Sequence, residues 1–366
     1  MDKPQLFIGI MSGTSLDGVD VALCALNDAK CAVLATHFLD YPQAIKTQLL
    51  QLHTSSLNEL EVTALTANTL ASLYADAVNT LVVNQNLAAS DITAIGCHGQ
   101  TIRHRPELGF TLQIGNSALL AELTNITVVS DFRSRDIAAG GQGAPLVPAF
   151  HQAVFGSSQF NRALINIGGI ANITYLAKKG NVLGFDSGPG NMLLDAWIKQ
   201  HLGKDYDANG AWAATGEVIE PLLLQMLAEP FFALAPPKST GRDLFNDDWL
   251  AKHLGKADYQ PQDVAHTLIA LTSRTIHDAL NRFCGNLDDA YLCGGGAHNA
   301  LIVQHLKKLL DNSQLYTTAE LGVGVDWVEA AAFAWLAKQT IDHKPSNLPA
   351  VTGAKGLRML GAIYSA

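Results

Sequence analysis

Three glycine-rich turns constrain this chain more than any other feature: residues 7–24 (FIGIMSGTSLDGVDVALC), 163–177 (ALINIGGIANITYLA) and 291–306 (YLCGGGAHNALIVQHL). The first two each read as an apolar β run, a tight polar-glycine turn and a second β run. That pattern predicts a hairpin whose backbone N–H groups can crowd round an anion, because side chains are absent there. None of the three carries the Lys of a P-loop. The third reads as a strand, Gly294-Gly295-Gly296, then a helix entered near Asn299, where backbone and helix start can close over a nucleotide. One such turn alone is an ordinary hairpin or βα loop. Three in this order, with helices between them, predict a nucleotide held in a cleft between two halves.

Composition permits a large enzyme. At 366 residues and 48% hydrophobic, the chain exceeds what one compact core usually holds, so two domains are expected. With 24 Lys+Arg against 33 Asp+Glu and a formal charge of -9, no basic stretch offers nucleic acid the surface it needs. The N-terminal segment has only a six-residue apolar run before polar turn residues, too short for a signal peptide or a membrane span. A cytoplasmic protein with no membrane partner is expected. Cys24, Cys31, Cys97, Cys284 and Cys293 fall mostly inside apolar runs and form no CxxC pair, which favours buried free thiols over disulfides or zinc.

Strands and helices alternate along the chain. Residues 6–10 and 19–26 form the first hairpin, and Ser56 to Glu59 reads as a capping box opening a helix towards Val83. Leu57, Leu60, Leu70, Leu73, Tyr74, Ala77, Val78 and Leu81 recur at threes and fours, which predicts one packed face. Strands are expected at 92–97, 111–114, 126–129 and 182–185. Helices are expected at 145–155, 192–202, 218–227 and 264–283. The alanine-dense stretch 326–337 reads as a helix suited to a close crossing. No repeat of fixed period is present.

Polar blocks supply the candidate chemistry. Asp186 closes a strand just before residues 187–191 (SGPGN), where a sharp turn leaves a carboxylate at a cleft edge, a good position for a general base. Capping of the helix at Met192 is the alternative, and a dinucleotide fingerprint fails because Leu193 stands where a third glycine is needed. Arg133 and Arg135, if extended, face the same way and can hold a carboxylate or phosphate; an internal ion-pair network with Asp131 and Asp136 is the alternative. His98 and Gln100 follow a strand and are weaker candidates for substrate contact. His98 and His104 lack zinc-site spacing.

The blocks GIMSGTSLDGVD, AIGCHGQTIRHRP, TLQIGN, DFRSRDIAAGGQGAPLVPAFH, NIGGIANIT, FDSGPGNMLLDAW, PKSTGRDLF, CGGGAHN and VEAAAFAWLA run in one order through almost the whole chain. Together they resemble the anhydro-N-acetylmuramic acid kinases, within the sugar kinase, Hsp70 and actin superfamily. The resemblance implies a two-lobed α/β (ribonuclease H-like) fold with an interdomain active-site cleft. Residues 1–145 with about 340–366 would form domain I, and 146–339 domain II. It implies ATP and Mg²⁺, a small amino-sugar substrate and, as one possibility, a homodimer. The activity implied is phosphorylation of 1,6-anhydro-N-acetylmuramic acid while water opens the anhydro ring, giving N-acetylmuramic acid 6-phosphate in cell-wall recycling.

On this resemblance ATP falls to Gly13, Thr14, Ser15, Leu16, Asp17, Gly18, Val19 and Asp20, to Gly168 and Gly169, and to Gly294, Gly295, Gly296 and Asn299. Asp186 is the base and Glu329 a second catalytic carboxylate, with His98, Gln100, Arg133 and Arg135 as substrate wall. The chain departs from the superfamily at Met11-Ser12 and at Asn166, where relatives carry Asp, and from the family at Ser187, more often Thr. Metal contacts are left to ATP phosphates and water, with Asp17 and Asp20 as candidates or as plain turn residues. Another phosphotransferase of the superfamily, a sugar sensor without turnover, and a hydrolase working without ATP are the competing readings.

Overall fold

A computed structural model of the chain describes residues 4–13, 15–27, 30–180, 182–311 and 313–366. The chain forms two compact units, Met1–Phe155 with Trp327–Ala366, and Gly156–Asp326. Among the described residues the first unit carries a six-stranded sheet in the order Ala362–Tyr364, Val128–Ser130, Ile92–Cys97, Gln5–Met11, Gly18–Leu26, Cys31–Asp40. The last three named are an antiparallel meander. On the other side of Gln5–Met11, the strands Ile92–Cys97 and Val128–Ser130 are added in parallel.

The second unit repeats this plan. Its sheet runs Val182–Pro189, Ile170–Leu176, Arg162–Ile167, Asp289–Cys293, Gln314–Thr317, again a meander followed by two parallel strands. The order 3-2-1-4-5 therefore occurs twice, although no sequence repeat announces it. Its consequence is positional. Each of the first two glycine turns joins strand one to strand two of its own sheet, at the carboxyl ends of the parallel strands, where open α/β sheets take their ligands. The third glycine turn follows Asp289–Cys293 at the same end of the second sheet.

One face of the first sheet is an ordinary apolar core, with Val19, Val21 and Leu23 packed under Leu70, Tyr74, Val78 and Leu81 of the helix Glu59–Asn84. The other face is closer. Gly9 and Gly96 are register partners on neighbouring parallel strands, and the helix Val328–Ile341 lies on them backbone to backbone. A Cβ at Gly9 would come within 1.8 Å of the Ala330 carbonyl oxygen, and one at Gly96 within 2.0 Å of that of Phe333. Buried Ala330, Ala331, Ala334 and Ala337 complete the contact.

This seat moves two helices relative to the sequence reading. The alanine-rich helix and Val147–Phe155 were both expected in the second half, but both lie in the first unit. The former needs the glycine floor, and the latter packs on it, with Phe150 and Trp335 ring centroids 6.2 Å apart. The capping box at Ser56 does not form. The helix begins at Glu59 after a left-handed Asn58, whose Nδ2 donates to Glu61 Oε2 at 2.8 Å. Burial on that helix starts only at Thr66, so Leu57 and Leu60 are 97% and 87% exposed. No helix among the described residues is long and apolar enough to cross a membrane. The five cysteines are free thiols, Cys284 half-buried and the others buried.

Gly96→Ala must push the helix off its sheet. Overpacking of this kind costs about 3 kcal/mol or more when backbone is the obstacle, and urea unfolding should show it. A variant as stable as the parent would contradict the seat.

Candidate active site

Gln5–Met11 delivers Ser12 and Gly13 to the first turn, and a buried network holds them. The Gly13 carbonyl accepts from Gln100 Nε2 at 3.0 Å, and the Ser12 hydroxyl bonds Gln100 Oε1 and the Tyr41 hydroxyl, the latter at 2.6 Å. Gln100 is wholly buried, so its amide braces the turn where a sugar contact was expected. Leu16 takes a left-handed φ of 61° and buries its side chain in the core, as Val19 does. Both can therefore meet a ligand only through backbone. Ser15 and Asp17 are exposed and Asp20 is half-buried. Thr14 lies outside the described residues.

Arg133 and Arg135 do not share a face. The segment is the short helix Ser134–Ala138 with Arg133 as its N-cap, so a spacing of two turns Arg135 outward to solvent and leaves Arg133 half-buried. Nη1 of Arg133 donates to the Gly143 carbonyl at 2.9 Å, while Nη2 and Nε lie 2.9 and 3.2 Å from His98 Nε2. The ion-pair alternative is not formed by Asp136, which is buried and accepts from Gly143 N (2.9 Å), Asn347 Nδ2 (2.8 Å) and Thr352 Oγ1 (2.8 Å). Burial lowers Arg133 to about 10, while the charge of Glu329 raises it. Glu329, on the first turn of Val328–Ile341, is raised by burial and drawn back by Arg133. One turn on, Phe333 packs on the His98 ring at 4.8 Å and on Phe132 at 5.5 Å.

In the second unit the strand Val182–Pro189 slips register between Asp186 and Gly188, and this bulge re-aims the side chains around it. Asp186 Oδ2 accepts from the Ser239 hydroxyl at 2.8 Å and the Thr240 N–H at 2.9 Å. Oδ1 has no bonded partner among the described residues. The Asp186 N–H donates to the Lys238 carbonyl at 3.1 Å. Burial raises the Asp186 carboxyl, opposed by the Thr240 and Ser239 hydrogen bonds and the charge of Lys238. The helix Met192–Leu202 takes Asn191 as N-cap, so Asp186 is not its cap. Residues 238–240 went unassigned in the sequence, although the block PKSTGRDLF carries them. A loop that reaches Asp186 from over fifty positions away leaves no local signal.

The strand end is stitched to the second glycine turn. Gly190 N donates to Gly169 O at 2.9 Å and Asn191 N to Gly168 O at 2.8 Å. In the third turn Gly294 has a φ of 77° and no room, since a Cβ would sit 2.2 Å from Asn166 Oδ1. Asn299 Oδ1 accepts from Leu301 N and Ile302 N at 3.1 and 3.2 Å. Its side chain is thus a helix cap, and its backbone is committed as well, the N–H donating to the Gly296 carbonyl and the carbonyl accepting from Val303 N, each at 3.1 Å.

The turn glycines then sort into two kinds. Gly18, Gly190, Gly294 and Gly296 are required by the protein itself, a Cβ meeting neighbouring atoms at 2.2–2.3 Å. Gly13, Gly168, Gly169 and Gly295 have ordinary φ and no atom nearer than 3.7 Å to such a Cβ. Nothing within the fold demands glycine at these four.

A family model described as anhydro-N-acetylmuramic acid kinase matches residues 5–366. The chain belongs to this family. It is 52% identical to the anhydro-N-acetylmuramic acid kinase of Nitrosomonas europaea, over 98% of this chain and 99% of that one. Against the enzyme of Nitrosospira multiformis identity is 51% over 100% of both chains. Against that of Pseudomonas syringae pv. syringae it is 50%, covering 98% of this chain and 99% of the relative. The chain is therefore a kinase, with an α/β fold of two compact units.

If a ligand claims the space beside the four open glycines of this kinase, Gly169→Ala should melt within about 2 °C of the parent yet bind ATP more weakly. Gly190→Ala should instead lose stability. Calorimetric titration and melting of the same samples decide it, and parental ATP affinity in Gly169→Ala would remove that glycine from the site.

Proposed function

We propose that this kinase phosphorylates O6 of 1,6-anhydro-N-acetylmuramic acid with ATP while Asp186 directs water onto C1, yielding N-acetylmuramic acid 6-phosphate and ADP in peptidoglycan recycling. The observation that carries the proposal is the setting of Asp186: a carboxylate at the bulge inside the strand Val182–Pro189, and not at the strand's end as its sequence suggested, with one oxygen anchored by Ser239 and Thr240 and the other unbonded among the described residues. The substrate's chemistry asks for such a group. O6 of an anhydro sugar is the glycosidic oxygen and carries no proton, so it needs a departing C1, not a base, to become nucleophilic.

The electron count closes with one base. Asp186 takes a proton from water as its oxygen attacks C1, the C1–O6 pair moves onto O6, and O6 bonds the γ-phosphorus as the bridge to ADP breaks. The proton on Asp186 then passes to solvent. Capture of O6 by phosphorus replaces the general acid of ordinary glycoside hydrolysis. Arg133 receives the lactyl carboxylate and Glu329 a sugar hydroxyl. Backbone at Gly13, Gly168 and Gly169 approaches phosphate, and that at Gly294 to Gly296 approaches adenosine.

Magnesium would arrive with the nucleotide, held mainly by ATP phosphates and water. When bound, it neutralises phosphate charge. Asp17 and Asp20 are the nearest carboxylates in sequence to the first turn.

Asp186→Asn keeps shape and loses basicity, so kcat should fall by about 10² to 10⁴ with sugar binding retained. Because burial raises the Asp186 carboxyl, and only its ionised form accepts a proton, the acid limb of kcat/KM should lie above the ordinary Asp value of about 3.9. Ser239→Ala removes a bond that favours the ionised form, so it should move that limb higher still. Full activity in Asp186→Asn, or a limb indifferent to Ser239, would transfer the base elsewhere.

A further inference from the structure

His98 has committed its backbone N–H and both ring nitrogens before any substrate arrives. Its backbone N–H donates to the Ile10 carbonyl at 3.1 Å, Nδ1 lies 3.3 Å from the Ser12 carbonyl oxygen, and Nε2 faces Nη2 and Nε of Arg133 at 2.9 and 3.2 Å. A guanidinium nitrogen cannot accept, so Nε2 is the acceptor and the ring hydrogen sits on Nδ1, towards Ser12. Burial, with the charge of Arg133, lowers His98 to about 3, which keeps this tautomer neutral through the physiological range. The residue is 6% exposed, and its ring packs against Phe333. Such a side chain has no free atom for a sugar hydroxyl and no proton to exchange.

Arg133 is different. Of the five N–H donors of a guanidinium, two face His98 and one faces the Gly143 carbonyl, leaving one on each terminal nitrogen. A carboxylate can take that pair with both oxygens. We infer that His98 is a positioning residue, joining the first glycine turn to Arg133 and holding the guanidinium for the substrate's lactyl carboxylate. The inference rests on the role given to Arg133 above. It replaces the expectation that His98 touches substrate.

The test compares kcat/KM for 1,6-anhydro-N-acetylmuramic acid with that for 1,6-anhydro-N-acetylglucosamine, which lacks the lactyl group. The preference between the two sugars is the readout, because a merely structural loss lowers both alike. Arg133→Ala should cut the preference at least about tenfold, and His98→Ala should do the same. The double variant should be no worse than Arg133→Ala. His98→Gln, whose Oε1 can still accept from Arg133, should keep most of the preference, and it carries the test if His98→Ala fails to fold. Preference retained in His98→Ala but lost in Arg133→Ala overturns the positioning role alone. Preference retained in Arg133→Ala overturns the role of Arg133 itself.

Discussion

The first unit depends on a contact between two backbones. Gly9 and Gly96 stand side by side with no side chains, so the helix Val328–Ile341 rests its own carbonyl groups on the sheet. From that seat the candidate site is built by direct contact. Glu329 begins the helix, and Phe333 presses on His98 and Phe132. His98 in turn spans Ser12 and Arg133. A displacement of the helix would therefore be felt at the first glycine turn and at Arg133 together.

The two candidate carboxylates are tuned by different means. Burial raises both, but Asp186 is compensated first by a backbone N–H and a hydroxyl, whereas Glu329 is compensated by the full charge of Arg133. Dipoles leave Asp186 free to gain and lose a proton without disturbing an ion pair, which suits a base. The ionisation of Glu329 is tied to Arg133, and an anion reaching Arg133 would withdraw that compensation.

Much of the fold was legible because glycine and alanine have few reasons to cluster. The three turns, a strand that carries Asp186, a helix entered near Asn299 and the alanine-rich helix all follow from local pattern, although that strand continues past Asp186 to Pro189. The duplicated strand order did not, since strand order is fixed by pairing between distant segments. Periodicity overstated the packed face at Leu57 and Leu60 because it continues beyond the buried part of the helix. The pairing of Arg133 with Arg135 failed on a single assumption, an extended backbone where the chain makes one helical turn. Ser239 and Thr240 were unreadable for a further reason: they act on Asp186 through a loop, and loop positions carry no period.

The central chemical claim is that water attacks carbon while O6 attacks phosphorus in one coupled event. Turnover in ¹⁸O-labelled water tests it most directly. The account predicts label at C1 of the product, none in the phosphate, and negligible ring opening when ATP is withheld. Label in the phosphate, or free unphosphorylated N-acetylmuramic acid as the main product, would contradict it.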